Sequence, residues 1–197
     1  MFAGHFGLAA AVKSKSPELP LWTLIVATQL LDVLFVPLYV SGIETLEIVD
    51  QGGYGHAIIH ADYTHSLLVA LVLSLVAGWY ALKKWNKRNG IVIGAMVFSH
   101  WILDLLVHRV DLPILPGNLG DLPLLGFSLW KYPAISIMLE VLLIALGIVL
   151  YFRSVIARAR MNTSSNHKNS LNKAYTAGIV FGGLLILSLI TDILGLG

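Results

Sequence analysis

Histidines and carboxylates are the residues left to carry chemistry here, because the 197-residue chain contains no cysteine. That removes disulfides, Cys-ligated zinc, iron–sulfur clusters and thiolate nucleophiles together. His100 and Asp104 stand four residues apart. On a helix they project from one face, one turn apart, as two ligands of one ion or a hydrogen-bonded His–Asp pair require. His108 continues the same stripe. Upstream, His60-Ala61-Asp62-Tyr63-Thr64-His65-Ser66 concentrates two imidazoles, a carboxylate and hydroxyls. Neutral imidazole with carboxylate suits Zn²⁺, Mn²⁺ or Fe²⁺.

The elements that hold these residues must be membrane helices. The chain is 57% hydrophobic and only 12% charged, where soluble domains carry about 25% charge. Its mean hydropathy is +0.80. Disorder and a water-facing soluble enzyme are excluded, and a net charge of +2 excludes nucleic-acid binding. Five apolar stretches reach the roughly 20 residues needed to cross a bilayer: Leu21–Val40, Thr64–Leu82, Gly90–Val107, Ala134–Phe152 and Tyr175–Leu194. The expected fold is all-α: a single-domain polytopic helix bundle over 1–197 with about five transmembrane helices and a short apolar N-terminal helix. Lys83–Asn89 reads as a basic turn, and 153–173 as a flexible basic loop.

Lys13 and Lys15 precede the first span, the second loop carries four basic residues and the fourth carries five. The positive-inside rule places these segments in the cytoplasm and the C-terminus outside. Phe2–Val12 is too short to span. It lies on the interface, or it dips inward as a half-helix carrying His5 about 12 Å into the bilayer.

Asp32, His65, His100, Asp104 and Glu140 then fall on four helices in one half of the membrane. Ionisable groups there are costly unless paired, facing the bundle interior or binding something. His56, Glu44, Glu47 and Asp50 read as a solvated loop, His167 as surface and Asp192 as interfacial. Trp22, Trp79, Trp101 and Trp130 read as an interface belt.

Gly4-His5, Leu30-Leu31-Asp32, His60-x-x-x-Thr64-His65-Ser66-Leu67 and Ser99-His100-x-x-x-Asp104, in that order, resemble the YdjM-like family of small bacterial inner-membrane proteins classed as metal-dependent hydrolases. The resemblance covers roughly residues 4–110. It implies His5, Asp32, His65, His100 and Asp104 as metal ligands, with His60 beside them, in a multi-pass protein of the bacterial inner membrane. The chain departs from the family pattern Pro-Asp-x-Asp-His at Leu31, Leu34 and Phe35, and from its His-Arg at Ala61. More distantly, the order of ligands is similar to zinc-dependent phospholipases C.

The resulting expectation is a membrane-embedded hydrolase using a divalent metal, zinc first and Mn or Fe as alternatives. Asp62 or Glu140 would take the proton, and a phospholipid or other lipid-linked phosphoester would be the amphiphilic substrate. Its partners are the bilayer and that substrate, not nucleic acid. The rival functions are a small permease or ion-coupled carrier and a non-catalytic assembly protein. For the topology, a reporter fused after Gly197 is expected to read as extracytoplasmic and one within Asn162–Asn172 as cytoplasmic. The reverse pattern overturns the assigned orientation.

Overall fold

The computed structural model describes residues 2–49, 54–161 and 167–195. Helices α1 (Phe2–Lys15), α2 (Leu21–Thr28) and α3 (Leu30–Val40) lead into an antiparallel hairpin of β1 (Thr45–Ile48) and β2 (Ala57–His60). Four longer helices follow: α4 (Leu67–Lys84), α5 (Lys87–Val107), α6 (Pro133–Met161) and α7 (His167–Ile193). Each of these four is long and apolar enough to cross a membrane, whereas α2 and α3 qualify only together, bent by 53°. Four of the five expected spans are therefore continuous helices, and the first corresponds to a bent pair that meets the length and hydropathy requirement only as a unit.

The break falls at Gln29, whose N–H is shared between the carbonyls of Ile25 and Val26. Thr28 ends α2 with its hydroxyl turned back onto the Ile25 carbonyl at 2.9 Å. A terminal helix carbonyl has no partner within its own helix, so that of Thr28 is available to a neighbour. Asp32 lies in the first turn of α3, where the helix dipole favours a carboxylate.

Of the two placements open to the N-terminal helix, the structure has the inserted one. Ala3, His5, Ala9 and Ala10 of α1 are buried, and the helix packs into α6 and α7. Small residues permit this: a Cβ on Gly7 would stand 2.7 Å from the Leu143 carbonyl oxygen, and Gly147 faces Gly7 from the other side. Close backbone approach of this kind is how helices pack where no hydrophobic driving force separates them from lipid. The same device joins α4 to α5, where a Cβ on Gly90 would meet the Gly78 carbonyl at 2.8 Å. At the basic end, the Arg88 guanidinium donates to the Lys15 carbonyl at 2.9 Å, so the basic ends of α1 and α5 share one side of the bundle.

Two loop expectations are corrected. Within the stretch 153–173 the described residues are helical: α6 runs to Met161 and α7 starts at His167. Val155, Ile156, Ala159, Leu171 and Ala174 keep the two helices zipped beyond the apolar span. Likewise the basic turn shrinks to Trp85 and Asn86, because the Asn86 side chain caps α5 by accepting the Asn89 N–H at 2.9 Å.

Since α1 sits against α6 through Gly7, Gly7→Leu is expected to destabilise the fold by about 1–3 kcal/mol, the usual effect of overpacking. Thermal unfolding in detergent, with limited proteolysis of the N-terminal segment, measures it. Unchanged stability and protection would show that α1 does not need the close contact.

Candidate metal centre

The five expected ligands converge from four elements: His5 on α1, Asp32 on α3, His65 just before α4, and His100 with Asp104 on α5. All are buried except Asp32, which is partly exposed. Asp32 Oδ1, His65 Nε2 and His100 Nε2 form a nearly equilateral triangle with edges of 3.2, 3.4 and 3.5 Å. Ligands about 2.0–2.1 Å from a tetrahedral zinc are separated by about 3.3 Å, so the triangle has the size of one face of such a site. Asp104 Oδ2 lies 2.9 Å from His100 Nε2 and 3.7 Å from His65 Nε2. The other oxygen of Asp104 faces His5 Nε2 at 3.3 Å, and the His5 ring stacks on that of His100 at 4.1 Å. His5 thus reaches the cluster through the far side of the Asp104 carboxylate.

Hydrogen bonds around the cluster decide which nitrogen of each ring faces inward. His100 Nδ1 lies 2.6 Å from the Thr28 carbonyl, which can only accept, so this nitrogen carries the proton. The Thr64 hydroxyl gives its proton to Glu44 at 2.9 Å, and so it accepts from His65 Nδ1, also at 2.9 Å. In neutral rings both Nε2 atoms therefore present lone pairs to one another across 3.2 Å. Lone pairs held that close, with two carboxylates beside them, require a positive centre. One protonated imidazole would offset a single negative charge; a divalent cation offsets both and leaves every ring neutral. The donor set, its triangular geometry and the anchored Nδ1 atoms fit a metal ion.

Outward from the cluster, the structure adds residues that a linear reading does not find. His108 Nε2 reaches to 4.0 Å from Asp104 Oδ2, while its Nδ1 is held by Asp111 at 3.0 Å and Asp111 accepts the Ile59 N–H at 3.2 Å. Trp130 packs against His108 with ring centroids 4.4 Å apart and the planes tilted by 33°, and Trp101 donates its indole N–H to the His65 carbonyl at 2.9 Å. These two tryptophans belong to the surroundings of the site; Trp22 and Trp79 face outward as belt residues do. The stripe of His108 on the His100 face was the one sequence signal for this group.

Glu44 overturns its solvated-loop reading. It is 1% exposed and accepts the N–H groups of Tyr63 and Thr64 at 2.9 and 2.8 Å besides the Thr64 hydroxyl. Nothing at a separation of twenty residues signals that pairing. His56 is half-buried against the cavity, Glu47 is exposed, and Asp50 lies outside the described residues. His167 is exposed, as a surface residue should be.

The two proton-handling candidates, Asp62 and Glu140, and His60 beside the expected ligands end in different places. His60 is on β2 with its side chain outward, 3.9 Å from Glu47. Asp62 is half-buried at a turn where its own carbonyl accepts the Gly117 N–H, and it does not line the cavity. The spacing before Thr64-His65 placed both near the ligand in sequence, but the hairpin carries them away from it. Glu140 is fully buried at the first turn of α1, accepting the Gly4 N–H at 3.2 Å. Asp192, expected to be interfacial, accepts the neighbouring Ala3 N–H at 3.2 Å. Two carboxylates thus occupy the N-terminal end of α1, where the helix dipole favours them, and hold His5 in register.

A cavity of about 510 Å³ opens beside the cluster, reaching His5, Asp32, His65, Asp104 and His108. Tyr54 also lines it; burial, reinforced by the Glu140 and Asp192 carboxylates, raises the pKa of its hydroxyl above the ordinary phenol value. Tyr54 therefore stays protonated and able to donate. No family model, curated protein or solved structure matches this chain.

Replacing His100 or Asp104 by alanine is expected to abolish stoichiometric metal, and the double variant to lose little more, since ligands acting as a unit are not additive. His5→Ala should also reduce bound metal, because His5 stacks on His100 and, with His100 and Asp104, makes up a second group of ligand atoms close enough to share an ion. Elemental analysis of the purified variants measures both; full metal in His100→Ala and Asp104→Ala overturns the assignment. Glu44→Ala leaves every ligand in place but frees Thr64, so metal affinity should fall about 10–100-fold. Unchanged affinity in competition with a chelating dye would remove Glu44 from the centre.

Proposed function

We propose that this protein is a membrane-embedded, metal-dependent hydrolase of phosphoesters. The observation that carries the reading is the triangle of Asp32, His65 and His100, with Asp104 beside it, at the inner end of a cavity. The resemblance of its motifs to the YdjM-like proteins supports the same class. Zinc fits best the small triangle and the imidazole-rich set, with Mn²⁺ or Fe²⁺ as alternatives.

When bound, such an ion supplies Lewis acidity toward a water and the phosphoryl oxygen. The chain's own residues do the rest. Thr28, Thr64 and Glu44 hold His100 and His65 with Nε2 inward, and Glu140 with Asp192 seats α1 so that His5 supports Asp104. Tyr54 offers an O–H to an anionic oxygen of the substrate. His108, steered by Asp111 and covered by Trp130, lies on the cavity side of Asp104 and borders the space the reacting water would occupy. Hydrolysis replaces the ester P–O bond with a P–O bond from water, and the departing alkoxide leaves as the alcohol with the proton that water gave up. Among the described residues no lysine or arginine lines the cavity, so the charge of the phosphoester would have the ion as its counter-charge.

Purified protein is expected to contain stoichiometric metal and to hydrolyse a phosphodiester. Activity should disappear with chelator and return with the ion. Metal at trace levels, or activity indifferent to its removal, overturns the hydrolase in favour of a carrier that uses the same groups to relay protons.

A further inference from the structure

The cavity has an unusual distribution of polarity. Its inner wall is His5, Asp32, His65, Asp104 and His108, whereas its exposed edge is formed by Phe2, Val36, Leu46 and Ile48. A pocket that takes solutes from water is generally rimmed by polar groups; here the large exposed side chains at the edge are apolar, with the half-buried Asp192 and His56 also on the lining, while His5, His65, Asp104 and His108 are buried. Ile48 is 67% exposed and Val36 56% exposed among the described residues.

The hairpin explains how water is kept from above. Leu46 pairs with Ile59 and Ile48 with Ala57, and these four residues line the cavity. The alternate pairs are Thr45 with His60 and Glu47 with Ile58, and none of the four lines it. Strand alternation thus gives the hairpin an apolar face over the metal centre and a largely polar face away from it. Its outer face carries the His60–Glu47 contact at 3.9 Å, and its inner face is fixed to the centre because Asp111 bonds both Ile59 N–H and His108. The other side of the opening is α3, whose Val33, Val36 and Val40 are exposed apolar residues on a helix that belongs to a membrane span.

We infer that the gap between α3 and β1 is a lateral entrance from the bilayer. The substrate is a lipid whose phosphoester reaches the His/Asp cluster while its acyl chains stay at Val36, Leu46 and Ile48 among the lipids. This rests on the hydrolase reading for the reaction, but the entrance itself follows from the polar interior, the apolar rim and the membrane-facing helix. An acyl chain that never leaves hydrocarbon avoids the unfavourable exposure to water that a water route would impose on it, whereas a short-chain analogue gains little from the rim. The amphipathic hairpin acts as a roof that confines the reacting group to the polar interior.

The test compares long-chain phosphatidylcholine with dibutyryl phosphatidylcholine, using metal-loaded protein in nanodiscs. The wild type should prefer the long-chain lipid by about tenfold or more in kcat/KM. Val36→Lys and Ile48→Lys should remove about tenfold of long-chain turnover, leave dibutyryl turnover within about twofold, and keep full metal. Equal use of both substrates by the wild type, or equal losses on both in the variants, overturns the entrance. A second measurement is independent of hydrolysis: phosphatidylcholine carrying a photoreactive group beside its phosphate should label the 54–59 segment of the wild type and not of Val36→Lys. Labelling without turnover retains the entrance and defeats the hydrolase; absence of labelling defeats the entrance whatever the activity.

Discussion

Two carboxylates and two imidazole nitrogens share a space about the size of one ion, inside a bundle whose outer surface is apolar. Most of the architecture around them can be read as the response to that constraint. Charges removed from water without compensation are each penalised by several kcal/mol, so the cluster persists only if a positive centre joins it and if every ring is turned the right way. The turning is done by groups outside the cluster itself: the Thr28 carbonyl exposed by the break between α2 and α3, the Glu44–Thr64 pair before α4, and Asp111 after α5. Each sits where a helix ends or is about to begin. Only there are backbone carbonyls and short polar side chains free to leave the helical ladder.

That placement also explains why part of the site is legible in the linear chain and part is not. His100 and Asp104 announce themselves through helical spacing, and His5, Asp32 and His65 stand out as polar residues flanking or interrupting apolar runs. Their motif order supplied the rest of the ligand set. Glu44 looks like any loop acid, because its burial depends on a hairpin folding back across about twenty residues. His60 and Asp62 mislead for the converse reason: adjacency to His65 in sequence is not adjacency in space once a strand ends and a turn intervenes. Tyr54, Trp130 and Asp192 come to the cavity from three separate regions, and no local pattern connects them.

The fold was legible at the level of spans, since length and hydropathy alone select them. The bend at Gln29 was not, because neither Thr28 nor Gln29 forbids a helix; the break shows itself in what it supplies, a carbonyl to His100 and a helix start at Asp32. Nor did composition separate an interfacial α1 from an inserted one. Gly4, Gly7, Ala9 and Ala10 are compatible with both, and the choice is made by Gly147 on a helix about 140 residues later.

That last separation governs the order in which the molecule can be built. α1 leaves the ribosome long before α6 and α7, yet its first turn is bonded to Glu140 and Asp192, 136 and 189 positions away. Until those helices are inserted, α1 has no groove to enter and must wait at the membrane surface, the placement its length would otherwise suggest. Long-range closure of this kind comes late in assembly. The centre is therefore finished from both ends of the chain at once, and an incompletely inserted protein would hold Asp32, His65, His100 and Asp104 without His5. The contacts that seat His5 are thus made with helices far along the chain, so the complete centre depends on the bundle around it.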